Sequence, residues 1–396
     1  MAETEELPEE IIVNILTWLP LKSLIRFTSV SKRLHSIILS DPKFAQSQLK
    51  AARQQKTLSR RLLVSTDYFP YNCGPQFESL RLDHTSSFGD PSSVTKLSLP
   101  FPPPRFCHIK LLGSCNGLVF LVIFSFGEKL FYIWNPAIGL FKQLPDPGFP
   151  CTGSLPPVTA SFYGVGYLSA TDDYKVLAAC RDGFHETEKE VRIFSVRTHL
   201  WESIESLSDV RLGSRGTLSN NALHWLNHQN EHEMVSFDLA VQEFRRMALP
   251  TFDHDGESLS RLGVYGGCLC VSRIPEGACD SIDLWVMKEY DVCDSWSMLF
   301  SLKLSHPLEL HCFHSYIAEF LIVESSTVAA SVSGPGITLI NIDHNGDDKL
   351  GQYMVEGHVI SMIEYEESLL WIGGYHPVEE KEQVQILEIH QKASQS

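Results

Sequence analysis

Two hydrophobic periods divide the chain. From Leu7 the sequence reads LPEEIIVNILTWLPLKSLIRFTSVSKRLHSIILSDPKF, and its apolar residues recur at helical spacing. Ile11, Ile15 and Leu19 form an i, i+4, i+8 row, flanked by Ile12, Leu16 and Trp18. Pro8 suits the first helical position, Glu9 and Glu10 complement the positive end of the helix dipole, and Pro20 ends the helix. A second short helix is predicted over Lys22 to Thr28, carrying Leu24, Ile25 and Phe27. A third covers Lys32 to Leu39, with Leu34, Ile37 and Ile38, until Asp41-Pro42 stops it.

Three short helices carry more apolar surface than they can enclose, and a module of about 40 residues rarely folds without outside help. Leu7 also stands where a free helix prefers Ser, Thr or Asp as its cap. Either the helices dock onto the rest of the chain, or they form a docking surface for a separate protein. The run Lys50 to Arg61, KAARQQKTLSRR, is basic and polar. It is expected to be the end of a fourth helix and a solvated hinge rather than a phosphate-binding patch.

Beyond about residue 60 the helical period gives way to short β-branched and aromatic runs separated by Gly, Asn, Asp and Pro, such as LVFLVIF at 118–124, FYIWN at 131–135 and VRIFSV at 191–196. A degenerate repeat runs through them. Asn135, Ser195 and Asp238 are each followed six residues later by an aromatic, Phe141, Trp201 and Phe244, and Trp285 to Trp296 is a later copy with a longer turn. Strand, polar turn and aromatic recur at spacings that bracket known propeller repeats, and a ring leaves few exposed strand edges. Six blades fit between about 60 and 390, with Leu62–Val64 and Phe77–Leu82 contributing to ring closure. Five or seven blades, or an open pair of sandwiches, also satisfy the pattern. The tryptophans at 134, 201, 225, 285, 296 and 371 follow the repeat and read as blade core.

Hydrophobic residues make up 43% of the 396 and charged residues 20%, ordinary globular usage. The formal charge of −16 argues against nucleic acid or an anionic membrane as the main partner. No apolar run is long enough to span a bilayer, and the acidic start MAETEELPEE does not read as a targeting peptide. The ten cysteines are scattered without a CxxC pair, and no Asn-x-Ser/Thr site occurs, which favours a reducing compartment, cytoplasm or nucleus. His224, His228 and His232 would align as metal ligands on a helix, but their context reads as strand and turn. His311, Cys312 and His314 are likewise expected to be packing residues, and Asp172-Asp173 turn acids. Gly164-x-Gly166 lacks the rest of a dinucleotide fingerprint, and no nucleophile elbow or phosphate loop is found. No cofactor, metal site or catalytic residue is therefore expected.

Leu7-Pro8, Ile15-Leu16, Leu19-Pro20, Lys22-Ser23-Leu24, Arg26, Phe27, Val30, Lys32 and Asp41-Pro42-x-Phe44 resemble the F-box, with Leu34 where that family usually has a Trp. GSCNGLVFL (113–121), WNPAIGLFKQLP (134–145), YGVGYLSATDDYKVL (163–177), VRIFSVRTHLW (191–201) and DLWVMKEYDVCDSW (283–296) resemble the kelch-like F-box-associated domain of plant F-box proteins, with the nearest likeness to the immunity-regulating and S-locus group. The resemblance implies an α+β multidomain chain: a three-helix F-box over 1–48, a linker at 49–61, an all-β kelch-like propeller over 62–390 and a tail at 391–396. It further implies the non-catalytic substrate receptor of an SCF ubiquitin ligase. Leu7, Pro8, Ile15, Leu16, Leu19, Pro20, Leu24, Phe27, Val30 and Leu34 would bind an Skp1-like adaptor, and through it cullin and RING subunits. The propeller would hold a protein target for degradation, an immune receptor or ribonuclease by analogy. An Skp1-bound scaffold acting outside degradation is the alternative, and an enzyme built in the propeller channel is disfavoured because no inner polar constellation recurs.

Overall fold

The computed structural model describes residues 7–372 except 68–75, 83–89, 91–92, 100–106, 126–127, 150–158, 182–187, 231, 252–258, 275–280, 304–318, 325–326, 332–335, 342–347 and 356–357. Helices come first: α1 spans Glu9–Thr17, α2 Leu21–Phe27, α3 Lys32–His35 and α4 Pro42–Gln55, with a π-helical turn at Ser36–Ser40 before α4. Pro8, expected as the first helical residue, is instead the cap. Its ψ of 141° is extended while its carbonyl accepts from the N–H groups of Ile11 and Ile12 at 3.0 and 3.2 Å. Pro20 serves α2 the same way, accepting from Ser23 and Leu24. Side chains cap the other two: Ser31 Oγ accepts from the Leu34 N–H at 3.1 Å, and Asp41 Oδ1 from the Lys43 N–H at 2.9 Å with Pro42 at the first position. Asp41-Pro42 thus ends one element and starts the next.

The basic run after Leu49 is the end of a fourth helix, as expected, followed by a short exposed connection, but its two ends are not solvated. Helix α4 continues to Gln55, Ala51 and Ala52 are buried, and Arg60 already belongs to a strand. Arg61 is itself buried. Its guanidinium donates to Ser79 Oγ, the Ser79 carbonyl and Thr95 Oγ1, and it pairs with Glu367 at 3.3 Å. A long cationic side chain can be hidden where several acceptors converge on it, and a tally of charges in the sequence does not show those acceptors.

Among the described residues the rest of the chain forms six four-stranded antiparallel sheets. The second holds His108–Cys115, Leu118–Ser125, Glu128–Asn135 and Leu140–Gln143; the third holds Thr159–Leu168, Asp173–Arg181, Glu188–Ser195 and Leu200–Ile204. The fourth runs from Thr217–Ser219 to Phe244–Ala248, the fifth from Leu259–Tyr265 to Trp296–Lys303, and the sixth from Glu319–Glu324 to Asp348–Met354. The leading strands of the second to sixth sheets are neighbours in turn, and the late strand of the first sheet neighbours those of the second and the sixth, so the sheets form a ring. The ring is closed in the first sheet, where the late strand His358–Glu366 pairs with Arg60–Asp67, which pairs in turn with Gln76–Arg81. Both segments expected to close the ring lie in that sheet.

The sequence repeat is the outer hairpin of a sheet. Trp134 faces Phe141, Phe194 faces Trp201, Phe237 faces Phe244 and Met287 faces Trp296 across it. The polar turn residue closes the hairpin: Asn135 Oδ1 accepts from the Ala137 N–H, Asp238 Oδ1 from Ala240 and Val241, and Ser195 Oγ from Thr198. Two of the repeat tryptophans also tie their sheet to the preceding one, Trp201 Nε1 donating to the Pro145 carbonyl at 2.8 Å and Trp296 Nε1 to that of Ala248 at 3.2 Å.

The apolar core is accordingly split into layers between sheets. One layer joins Phe120 and Phe131 of the second sheet to Tyr163 and Val176 of the third, and another joins Phe162 and Leu177 of the third to Leu223 and Trp225 of the fourth. Gly164 belongs to this packing: a Cβ there would lie 2.6 Å from Leu223 and 2.7 Å from Trp225, so the glycine lets the fourth sheet approach.

A candidate docking surface on the helices

One side of the helical module faces its own chain. Leu16, Leu24, Ile38, Phe44 and Leu49 pack together, with Leu19 and Leu34 half-buried at their edge, and this cluster is continuous with Leu369 and Leu370 beyond the ring-closing strand. Gln48 of α4 reaches the Leu19 carbonyl at 3.4 Å, holding the α1–α2 connection. The reading in which the helices dock onto the rest of the chain therefore describes one face.

The other face is apolar and open. Leu7, Ile11, Ile15 and Trp18 are exposed along α1, and Ile25, Phe27 and Val30 along α2 and the turn after it. The contrast between neighbours is sharp: Ile15 is 52% exposed and Leu16 5%. Spacing explains it. Ile12, Leu16 and Leu19 look inward at i, i+4, i+7, whereas Leu7, Ile11, Ile15 and Trp18 form the outward stripe. The row Ile11, Ile15, Leu19 read from the sequence mixes the two, because α1 ends at Thr17 and Leu19 leaves the helical path.

Among the ten residues read as adaptor-binding, the structure leaves Leu7, Pro8, Ile15, Pro20, Phe27 and Val30 on the surface. Leu16 and Leu24 are inside the module, holding the helices together, and Leu19 and Leu34 only reach its edge. Ile11, Trp18 and Ile25 are exposed and were not among the ten; the outward stripe from Leu7 was the signal that could have found two of them. Trp18 is held in place by its Nε1–H donating to Asn14 Oδ1 at 3.2 Å. The Arg33 guanidinium donates to Glu9 at 2.9 Å, tying α3 to the start of α1, while α2 exposes Lys22 and Arg26 and α3 exposes Lys32.

The residues weighed for other chemistry are placed elsewhere. His224 is buried in its strand, its Nδ1 3.2 Å from the Thr217 carbonyl and its Nε2 2.9 Å from the Tyr290 hydroxyl. Burial lowers its pKa to about 4. Asp173 accepts from Ser195 Oγ at 2.7 Å and the Arg197 N–H at 2.9 Å, a structural role, while Asp172 sits in the turn with φ of 50°. His311, Cys312, His314 and the tail 391–396 lie outside the described residues. Among the described residues no helix is long and apolar enough to cross a membrane.

Comparison with known proteins agrees with both halves of this architecture. Residues 5–46 match the F-box domain and residues 76–371 the F-box associated beta propeller domain. The F-box protein CPR1 of Arabidopsis thaliana is 28% identical over 75% of this chain and 73% of its own length. The F-box/kelch-repeat protein At3g23880 of the same plant is 30% identical over 76% of this chain and 81% of its own length. A helical module with an open apolar stripe, mounted on a ring of sheets matched over most of its length, makes this chain a member of the F-box proteins that carry an F-box-associated β-propeller domain.

Proposed function

We propose that the chain is the substrate-recognition subunit of an SCF-type ubiquitin ligase, with an Skp1-like adaptor seated on the open face of the F-box and a protein target held by the propeller. The observation that carries the reading is the outward stripe Leu7, Ile11, Ile15 and Trp18, continued by Phe27 and Val30, on helices whose opposite side is already anchored. A patch of large apolar side chains on an anchored support is what a stable partner covers. In this reading Leu16 and Leu24 act by supporting the helices, and the exposed residues make the contact. Lys22, Arg26 and Lys32 would favour an adaptor with an acidic surface.

The work of such a subunit is proximity. Cullin and RING components, joined through the adaptor, would bring the conjugating enzyme, and holding the target beside it turns a bimolecular encounter into an effectively intramolecular one. The chain itself would need no nucleophile or acid–base pair, and it would work in the cytoplasm or nucleus. Co-expression with an Skp1-like adaptor tests this directly. Ile11→Asp with Ile15→Asp should abolish co-purification while the circular dichroism spectrum stays unchanged; adaptor recovery equal to wild type would refute the interface.

A further inference from the structure

Every sheet ends on an outer edge strand whose outward N–H and C=O groups, among the described residues, meet no further strand. Such an edge is a template for another chain, and proteins guard it with charge, shortness or a bulge. Five of the edges are guarded. Val94–Leu97, Leu140–Gln143, Leu200–Ile204, Phe244–Ala248 and Asp348–Met354 are four to seven residues long. Each has a charged residue among its first three positions: Lys96, Lys142, Glu202, Arg245 with Arg246, and Asp348 with Lys349.

Trp296–Lys303 of the fifth sheet is the exception. It has eight residues, and no charge occurs before Lys303 at its end. The repeat allows a comparison position by position. Phe141, Trp201 and Phe244 are followed by Lys142-Gln143, Glu202-Ser203 and Arg245-Arg246, whereas Trp296 is followed by Ser297-Met298. Met298 is 54% exposed and Leu299 44%. A bulge makes Leu299 the extra residue opposite Leu284 and Trp285, so even this guard presents an apolar side chain. The turn leading into the strand exposes Val292 and the carboxylates of Glu289, Asp291 and Asp294 against one cation, Lys288. Among the described residues none of these three carboxylates is in an ion pair. The turn is fixed in place: the Tyr290 hydroxyl stands 2.9 Å from His224 Nε2 of the fourth sheet, and Ser295 Oγ donates to the Val292 carbonyl at 2.6 Å. A row of main-chain donors and acceptors is matched by another extended backbone and by neither a helix nor a small molecule.

We propose that this edge takes up an extended segment of another protein as a fifth strand of the fifth sheet, antiparallel like the strands already there. The segment is apolar where it runs beside Met298 and Leu299, and basic at the C-terminal end that reaches the Glu289–Asp294 turn. The inference concerns the propeller alone and does not depend on the adaptor reading.

Fluorescence anisotropy of the full chain with a labelled peptide of alternating valine and threonine, closed by a C-terminal pair of lysines, tests it. Saturable binding is expected, and replacing the lysines by glutamates should weaken it by about tenfold or more. N-methylating every valine and, in a second peptide, every threonine should abolish binding in one case and spare it in the other, because only one set of amides faces the edge. The paired substitution Met298→Lys with Leu299→Lys should also weaken binding by about tenfold or more. Both side chains are exposed, so an unchanged thermal melt should show that the variant is folded, and the methylated peptides test the ladder on the wild type whatever the variant does. No saturable binding to the wild type, equal binding of the two methylated peptides, equal binding of the glutamate peptide, or undiminished binding in the folded variant would each overturn the proposal. A wild-type dimer in sedimentation that Met298→Lys with Leu299→Lys dissociates would overturn it too, by assigning the edge to a second copy of this chain.

Discussion

Arg53 and Glu366 are 313 positions apart in the chain, and Nη2 of the first stands 2.5 Å from Oε2 of the second. Arg53 lies in the last turn of α4, and Glu366 ends the strand that closes the ring. Just beyond Glu366, the Asn135 side-chain amide donates to the carbonyls of Ser368 at 3.0 Å and Leu370 at 2.8 Å, and Ser368 Oγ donates to the Asn116 carbonyl at 2.7 Å. Gly117 makes room for this: with φ of 86°, it would place a Cβ 2.2 Å from Ser368 Oγ. One short segment therefore closes the propeller and carries the helices. The F-box sits on a support rather than on a flexible tether.

The two kinds of contact at this junction should differ in strength. Asn135 is fully buried, so Asn135→Ala strands two carbonyl groups and should cost about 2–3 kcal/mol. The Arg53–Glu366 pair is partly open to solvent, and Arg53→Ala should cost no more than about 1 kcal/mol. Urea denaturation followed by tryptophan fluorescence measures both. Equal losses would mean that the buried amide secures the segment no more than the ion pair does.

Folding and docking should separate along α1 and α2. Leu24 is fully buried, and Leu24→Ala should destabilise the helical module by about 2–5 kcal/mol through lost burial and the cavity left behind. Ile15→Ala removes an exposed side chain and should stay within about 0.5 kcal/mol of wild type in the unbound chain. Adaptor affinity should show the reverse emphasis, Ile15→Ala weakening binding without changing hydrogen exchange of the helices. If Ile15→Ala loosened the helices as much as Leu24→Ala, the stripe would belong to the core.

How much of this could be read from residues alone depended on how local the cause was. The helices of the F-box, the outer hairpins and their polar turn residues follow from neighbours a few positions apart, so Asn135, Ser195 and Asp238 were legible as turn residues. The inward or outward sense of Leu16 and Ile15 was not, because both lie in apolar rows and only the packing of α4 decides between them. Arg61 was misread for a related reason: its acceptors come from Ser79, Thr95 and Glu367, residues 18, 34 and 306 positions away. Gly164-x-Gly166 could be dismissed as a phosphate loop, yet its purpose, the approach of Leu223, Trp225 and Leu239, appears only when the fourth sheet is in place.

His224 gives the propeller a dependence on pH. Its Nδ1 faces a carbonyl, which can only accept, so Nδ1 carries the proton and Nε2 accepts from the Tyr290 hydroxyl. This neutral ring is buried, and burial lowers its pKa from 6.5 to about 4. In the unfolded chain the same ring takes up a proton at its ordinary value, so between pH 6.5 and 4 the unfolded state binds more protons than the folded one. The stability tied to the neutral ring is therefore complete above pH 6.5 and is lost progressively as pH falls towards 4, by on the order of 3 kcal/mol. His224→Gln preserves a polar planar side chain that does not titrate in this range. Urea midpoints measured from pH 7 to pH 4.5 should fall less steeply for His224→Gln than for wild type, and parallel curves would show that His224 protonation plays no part.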